Sequence, residues 1–287
     1  MVGSGHVCGF WSLAFIVLIM IDKRPIGLFD SGVGGLSVLL AIKKKLPKES
    51  FVFFADQGHN PYGEKSPKQL KDLSEKITKF LVKKHDIKLL VIACNTATCY
   101  ALDYLRSAFK IPIVGVVPAI KPAVSLSKKK NIVIMSTPAT ARSLYLKNLV
   151  ANFARHSQTL RLGCEGLEES IEYLKMNKIS KLLDIYASKV EKAGADVIVL
   201  GCTHFPFFKK EIKERVGSKV KVIDSGGAIA KRVAFILKKE QIAAVKKFPD
   251  VYYTTGNPEK FSKVASILLK YKVVGQKARL PSGKTQI

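Results

Sequence analysis

The sequence predicts an α/β protein of two similar, doubly wound units with mostly parallel sheets. Three observations carry this. From residue 26 onward, short apolar runs alternate with amphipathic stretches, the order of strands and helices that builds parallel sheets. The runs are continuous, as in FVFFA and LLVIA, which fits strands covered on both faces. The chain also echoes itself: LLVIACNTA at 89–97 aligns with VIVLGCTHF at 197–205, and IGLFDSG at 26–32 with IVIMSTP at 132–138. βα units resemble one another by default, so the echo alone is weak.

In chain order, the apolar runs give strands at 26–29, 51–55, 89–93, 113–116, 131–135, 197–200 and 220–223. Amphipathic stretches give helices at 36–45, 67–84, 97–108, 139–153, 167–174, 179–193, 207–215 and 226–239. Two copies of one unit would set equivalent strand ends face to face. Ligands of open α/β sheets bind beyond the carboxyl ends of strands, so both echoed cysteines would share one cleft.

Composition narrows the classes. The 287 residues suit one large domain or two ordinary ones. With 47% hydrophobic and 24% charged residues, the chain is neither disordered nor a small disulfide-stapled scaffold. The net charge of +26 permits nucleic acid or an anionic surface as partner. It comes from 40 Lys and only 8 Arg, whereas specific phosphate and base recognition uses Arg forks as well. A solvated Lys-rich surface is the plainer account, and no specific nucleic acid is expected. Cys8, Cys94, Cys99, Cys164 and Cys202 form no C-x-x-C pair and no zinc-finger spacing, which points to free thiols in a reducing cytoplasm. No signature for pyridoxal phosphate, nicotinamide or metal is visible, so no cofactor is expected.

Phe10 to Ile21 is apolar apart from Ser12, shorter than the roughly 20 residues of a spanning helix. No Lys or Arg precedes it and no small-residue cleavage site follows it. Met20 offers a second start, so residues 1–19 read as an upstream misread start or a dispensable extension. A membrane anchor is the alternative; no membrane partner is expected.

Cys94 and Cys202 each follow a strand and carry hydroxyl neighbours, Thr96 and Thr203. Helix N-termini there would present free N–H groups that favour the thiolate and lower a Cys pKa. A lone Cys is usually a small buried hydrophobe, but two at matching positions suit acid/base work. Cys99 and Cys164 lack that context and read as structural. Asp30-Ser31-Gly32-Val33-Gly34-Gly35 leaves a strand for a helix without either nucleotide-binding fingerprint. Its glycines could expose N–H groups to a small anion such as a carboxylate, while Asp30 could meet an ammonium; a capped tight turn is the alternative. In Asn60-Pro61-Tyr62-Gly63, an ordinary turn by default, Tyr62 could close over a ligand that the Gly63 N–H binds. His204 could tune or relay for Cys202.

Six words in order resemble the glutamate racemases: FDSGVGGLSVL at 29–39, ADQGHNPYGEKS at 55–66, VIACNTATCYAL at 91–102, PIVGVVPAIKPA at 112–123, GADVIVLGCTHFP at 194–206 and VIDSGGAIAKRV at 222–233. The resemblance covers residues 25 to about 240. It implies two pseudo-symmetric α/β domains around an interdomain cleft, and a cofactor-independent interconversion of L- and D-glutamate supplying peptidoglycan. It implies Cys94 and Cys202 as the acid/base pair, with Cys94 acting on D-glutamate and Cys202 on L-glutamate. Asp30 and His204 would be auxiliary, with substrate contacts at Asp30, Ser31, Tyr62, Gly63, Asn95, Thr96, Thr203 and His204. A homodimer is expected. The expected domains are 24–117 plus 226–270 and 118–225, with a 1–23 extension and a 271–287 tail. Rivals are an aspartate, hydantoin or malonate enzyme of the same superfamily, or a DNA- or gyrase-interacting protein. One stretch departs from the family: Cys164-Glu165-Gly166-Leu167-Glu168-Glu169 lacks the usual Cys-Pro and carries extra acids, and Glu172 best matches the family's Glu.

Overall fold

The computed structural model describes residues 22–281. The elements run β1 (Ile26–Asp30), α1 (Leu36–Lys45), β2 (Phe51–Ala55), α2 (Pro67–His85), β3 (Leu89–Ile92), α3 (Asn95–Ala108) and β4 (Ile113–Gly115). Next come α4 (Ile120–Leu126), β5 (Asn131–Ser136), α5 (Pro138–Arg142), α6 (Leu144–Phe153), β6 (Gln158–Gly163), α7 (Leu167–Glu172), α8 (Met176–Lys192), β7 (Val197–Leu200), α9 (Lys209–Val216) and β8 (Lys221–Asp224). The chain closes with α10 (Gly226–Lys239), β9 (Val251–Thr254), α11 (Pro258–Leu269) and β10 (Gly275–Lys277).

Two sheets form, with strand orders β10-β9-β2-β1-β3-β4 and β6-β5-β7-β8. Every pairing in both is parallel. The order β2-β1-β3-β4 in the first sheet is the order β6-β5-β7-β8 in the second. The echoed segments are therefore equivalent strands: β1 with β5, and β3 with β7. In each sheet the chain moves to one side after the first of these strands and to the other side at the second. That reversal is the switch point at which such sheets hold ligands. Asp30 and Cys94 stand at the switch point of the first sheet, Thr137 and Cys202 at that of the second.

The continuous apolar runs are explained by burial on both sides. Successive side chains of a strand point to opposite faces. Leu28 of β1 joins a core with Leu39 of α1, Val233 of α10 and Phe261 of α11. Its neighbour Phe29 joins a separate core with Ile77 of α2 and Leu105 of α3. The second sheet repeats this. Ile198 packs with Leu167, Leu183 and Ile212, while Val197 and Val199 pack with Ala123 and Leu146. Because α10 buries Ile229, Ala230 and Val233 in the first core, the chain after β8 returns to the first unit.

Several elements differ from the sequence expectations. The stretch 139–153 is two helices, because Ser143 is extended (φ −63°, ψ 142°) and its Oγ accepts from Leu146 N to cap α6. Residues 205–208 form a 3-10 turn around Pro206 before α9 begins. The helix expected at 167–174 stops at Glu172, and Leu174 takes a left-handed φ of 50°. Strands β6 and β10 and helix α4 carry too weak an apolar run to be read in advance. By contrast, β9 (VYYT) and α11, with Phe261, Ala265 and Leu269 on one buried face, show ordinary strand and helix patterns and add to the expected elements. Strand β10 lies within the segment expected to be a tail and pairs with β9. Among the described residues, no helix is long and apolar enough to cross a membrane. The expectations for residues 1–19, including the anchor alternative, lie outside the described residues.

Candidate active site

The end of β3 delivers Cys94 into α3 as its N-cap. Cys94 Sγ accepts a hydrogen bond from Ala97 N at 3.4 Å and lies 3.8 Å from Ser31 Oγ. Helix N-termini stabilise a thiolate, yet here burial dominates. Burial pushes the Cys94 thiol well above its ordinary pKa, the nearby Asp30 carboxyl adds to the rise, and the Ala97 N–H opposes it. The expected lowering is therefore not what the resting site has. Desolvation of the charged form outweighs one capping bond.

Asp30 ends β1 and is fully buried. It accepts from Ser31 N at 2.9 Å, from Gly35 N, and from Thr203 Oγ1 at 3.3 Å. Burial lifts its carboxyl to about 6; His204 opposes the rise and Glu172 adds to it.

On the other side, Cys202 follows β7 but caps no helix. It relies on His204 instead, whose Nδ1 lies 3.6 Å from Cys202 Sγ and whose Nε2 lies 2.7 Å from Glu172 Oε2. Burial raises the Cys202 thiol, and His204 pulls it back down. Burial alone would lower His204, but its bonds to Cys202 and Glu172 outweigh that and hold it well above 6.5. Glu172 is lowered against the effect of its own burial, chiefly by His204, with further donors in Gln57 Nε2 at 2.5 Å and Val33 N at 2.9 Å. Cys202, His204 and Glu172 thus form a buried relay, with an imidazolium between a thiol and a carboxylate.

The two halves meet in one small cavity. Ser31, Cys94 and Thr96 line it from the first unit, and Cys202, Thr203 and His204 from the second; Asn95 borders it as well. Thr96 Oγ1 lies 3.2 Å from Thr140 Oγ1, which ties α3 to α5 across the cleft. Gly63 stands outside this cavity, at a wider mouth that it shares with Pro138 and Glu168. Tyr62 differs from expectation. Its ring is buried in the α2–α3 core and its hydroxyl donates to Asp56 Oδ2 at 2.7 Å, so it is held rather than free to close. Cys99 and Cys164 do not border the inner cavity, and all four described cysteines are free thiols.

The glycine loop after β1 also differs from expectation. The anions its N–H groups hold are the protein's own carboxylates, Glu172 at Val33 and Asp30 at Gly35. A Cβ added at Gly32 would collide with the Glu172 carboxylate, and one at Gly34 with the His204 ring. Gly32 and Gly34 are required because the relay of the second unit presses against the loop backbone, whereas Gly35 is crowded by Asp30, Ala93 and Phe53 of its own unit.

Thr137, Thr140, Gln57 and Glu168 were missed in the sequence. The Thr residues follow the IVIMSTP echo, which was a usable signal; Gln57 and Glu168 had none beyond the extra acids of 165–169.

The family model described as Asp/Glu/Hydantoin racemase matches residues 40–233. A glutamate racemase of Herpetosiphon aurantiacus is 39% identical over 249 residues, covering 85% of this chain and 98% of that one. The solved glutamate racemase isoform from Bacillus anthracis superposes with a TM-score of 0.82 at 30% identity, covering 91% of this chain and 99% of the other. That from Escherichia coli, solved with L-glutamate and an activator, gives 0.77 at 33% identity, covering 88% and 97%.

Proposed function

The chain belongs to the Asp/Glu/Hydantoin racemase family, and from that premise we propose that it interconverts L- and D-glutamate by proton transfer at Cα between two thiols. It is an amino-acid isomerase. The observation that carries the mechanism is the placement of Cys94 and Cys202 at equivalent strand ends of two repeated units, lining one cavity.

From L-glutamate, a Cys202 thiolate takes the Cα proton, forming an S–H bond and leaving the electron pair on Cα, delocalised into the α-carboxylate. The Cys94 thiol then gives its proton to the opposite face. D-glutamate leaves a Cys94 thiolate behind, and the reverse reaction begins there. Two fixed groups avoid any need for one base to travel around the substrate. His204, held positive by Glu172, favours the Cys202 thiolate. Cys94 has no cation of its own; the substrate ammonium beside Asp30 supplies one on binding. Thr96, Thr203 and backbone N–H groups of the cavity receive the α-carboxylate, where charge builds as the proton leaves. Gly63 contributes at the mouth. No step needs a cofactor.

The same reading has the product feeding peptidoglycan synthesis in the cytoplasm, by a homodimer without a sequence-specific nucleic-acid site. Free thiols and a Lys-heavy surface support the compartment and the last point. The test is circular dichroism of L-glutamate incubated with pure protein and no additive. The signal is expected to decay to zero. A constant signal contradicts the reading, and decay with L-aspartate alone reassigns the substrate.

A further inference from the structure

Glu168 is the carboxyl group at the site that proton transfer leaves unused. It lies one helical turn before Glu172 on α7, hence on the same face. Asp30 and Glu172 are each surrounded by donors. No side chain among the described residues is bonded to Glu168, which is half-buried with its carboxyl between the two cavities. Among the described residues, it alone of the acidic side chains borders both the inner cavity and the mouth. On the inner side it shares the cavity wall with the two thiols and His204, and the charges of Asp30 and Glu172 reach it. At the mouth it stands with Glu64, Arg142, Glu165, Glu169 and Lys178; of these, Glu169 is engaged by Lys175 at 2.7 Å.

An unpartnered carboxyl on the path of a dicarboxylate is either ionised and repels it, or protonated and donates to it. Glu168 is half-buried rather than enclosed, yet desolvation on its inner side still favours the neutral form. Desolvation lifts the Glu168 carboxyl to about 7; His204 opposes this, and Asp30 and Glu172 reinforce it. Near neutrality a large share of the group is therefore neutral, with an O–H that no protein acceptor takes up.

We propose that Glu168 is a specificity-determining contact, whose protonated carboxyl donates a hydrogen bond to a carboxylate of the incoming substrate, so that binding takes up a proton. This rests on the glutamate reading above. Rising pH ionises Glu168 in the free protein, and the substrate must then bind against a like charge or bring a proton with it. The burden falls on KM rather than kcat, because Glu168 does not exchange a proton with Cα.

The experiment is the pH dependence of KM and kcat for L-glutamate between pH 6.5 and 8.5 in wild type, Glu168→Gln and Glu168→Val. Gln keeps a donor that does not titrate; Val removes the donor. Wild-type KM is expected to rise roughly tenfold or more over this range, as one-proton linkage requires, while the Glu168→Gln value changes by less than about twofold. Glu168→Val is expected to be equally flat but raised about tenfold at pH 6.5, the order of a lost hydrogen bond to a charged group. Asp30 titrates near 6 in all three and does not separate them. Parallel KM profiles in wild type and Glu168→Gln overturn this inference alone, as does a wild-type KM that falls with pH, which is the sign for an ionised Glu168 binding the ammonium. Wild-type protein that does not racemise glutamate overturns it together with the reading it rests on.

Discussion

The two thiols occupy equivalent places in two repeated units, yet their surroundings are not equivalent. Cys94 caps a helix, touches Ser31 and sits near the carboxyl of Asp30. Cys202 caps nothing and is paired with an imidazolium that Glu172 holds in place. Burial raises both thiols; on one side a carboxyl adds to the rise, and on the other a cation opposes it. A duplicated fold can place two groups symmetrically, but the charge of each is set by side chains the repeat does not share. Of the two raised thiols, Cys202 is therefore the one more easily ionised, and the proposed L-glutamate direction starts from its thiolate.

The largest effect should come from removing either thiol. Cys94→Ala and Cys202→Ala are each expected to lower racemisation by about 10²–10⁴-fold, the usual worth of a positioned acid or base, as measured by circular dichroism from both enantiomers. Cys99→Ala should racemise normally, since Cys99 lies outside the inner cavity. Normal turnover by either of the first two variants breaks the comparison.

Glu172→Gln should damage the Cys202 side more than the Cys94 side. Removing one partner of a buried pair destabilises by about 3 kcal/mol or more. Glu172, held low, contributes stability above about pH 4.5 that is lost as pH falls through its folded midpoint. His204, held high, contributes stability below about pH 6.5 that is lost as pH rises through its own. Thermal unfolding should therefore show the greatest gap between wild type and variant at about pH 4.5–6.5, closing on both sides. A gap independent of pH would contradict the ion pair.

Asp30 sharpens the contrast from the Cys94 side. Because its carboxyl sits near 6, kcat/KM should fall with unit slope below that pH as it protonates and loses its hold on the substrate ammonium. An acid limb that persists unchanged in Asp30→Asn would assign it elsewhere. Ser31→Ala should have the smallest effect, a few-fold fall in kcat from D-glutamate. It removes one weak contact, 3.8 Å long, from Cys94.

Much of this was legible in the sequence, for reasons that differ between elements. β1, β3, β5 and β7 are central strands buried on both faces, so their apolar runs announce them. β6 and β10 are sheet edges, and QTLRLG and GQK carry little apolar content, so neither shows a run. The break at Ser143 depends on a side-chain cap that helical periodicity does not register. Within the site, both cysteines stood out through the repeat, and His204 through its nearness to Cys202. The partnership of His204 with Glu172 joins residues 32 positions apart and needed the fold. The direction of the thiol shifts was misread because a helix terminus is visible in sequence whereas desolvation is not.

The central claim is one thiol for each face of Cα, and exchange in heavy water tests it most directly. Cys94→Ala should still exchange the Cα proton of L-glutamate through Cys202, without racemising it, and leave D-glutamate untouched. Cys202→Ala should do the reverse. Proton NMR of each enantiomer with each variant reads all four combinations. Exchange of both enantiomers by either variant, at comparable rates, would contradict the two-face assignment.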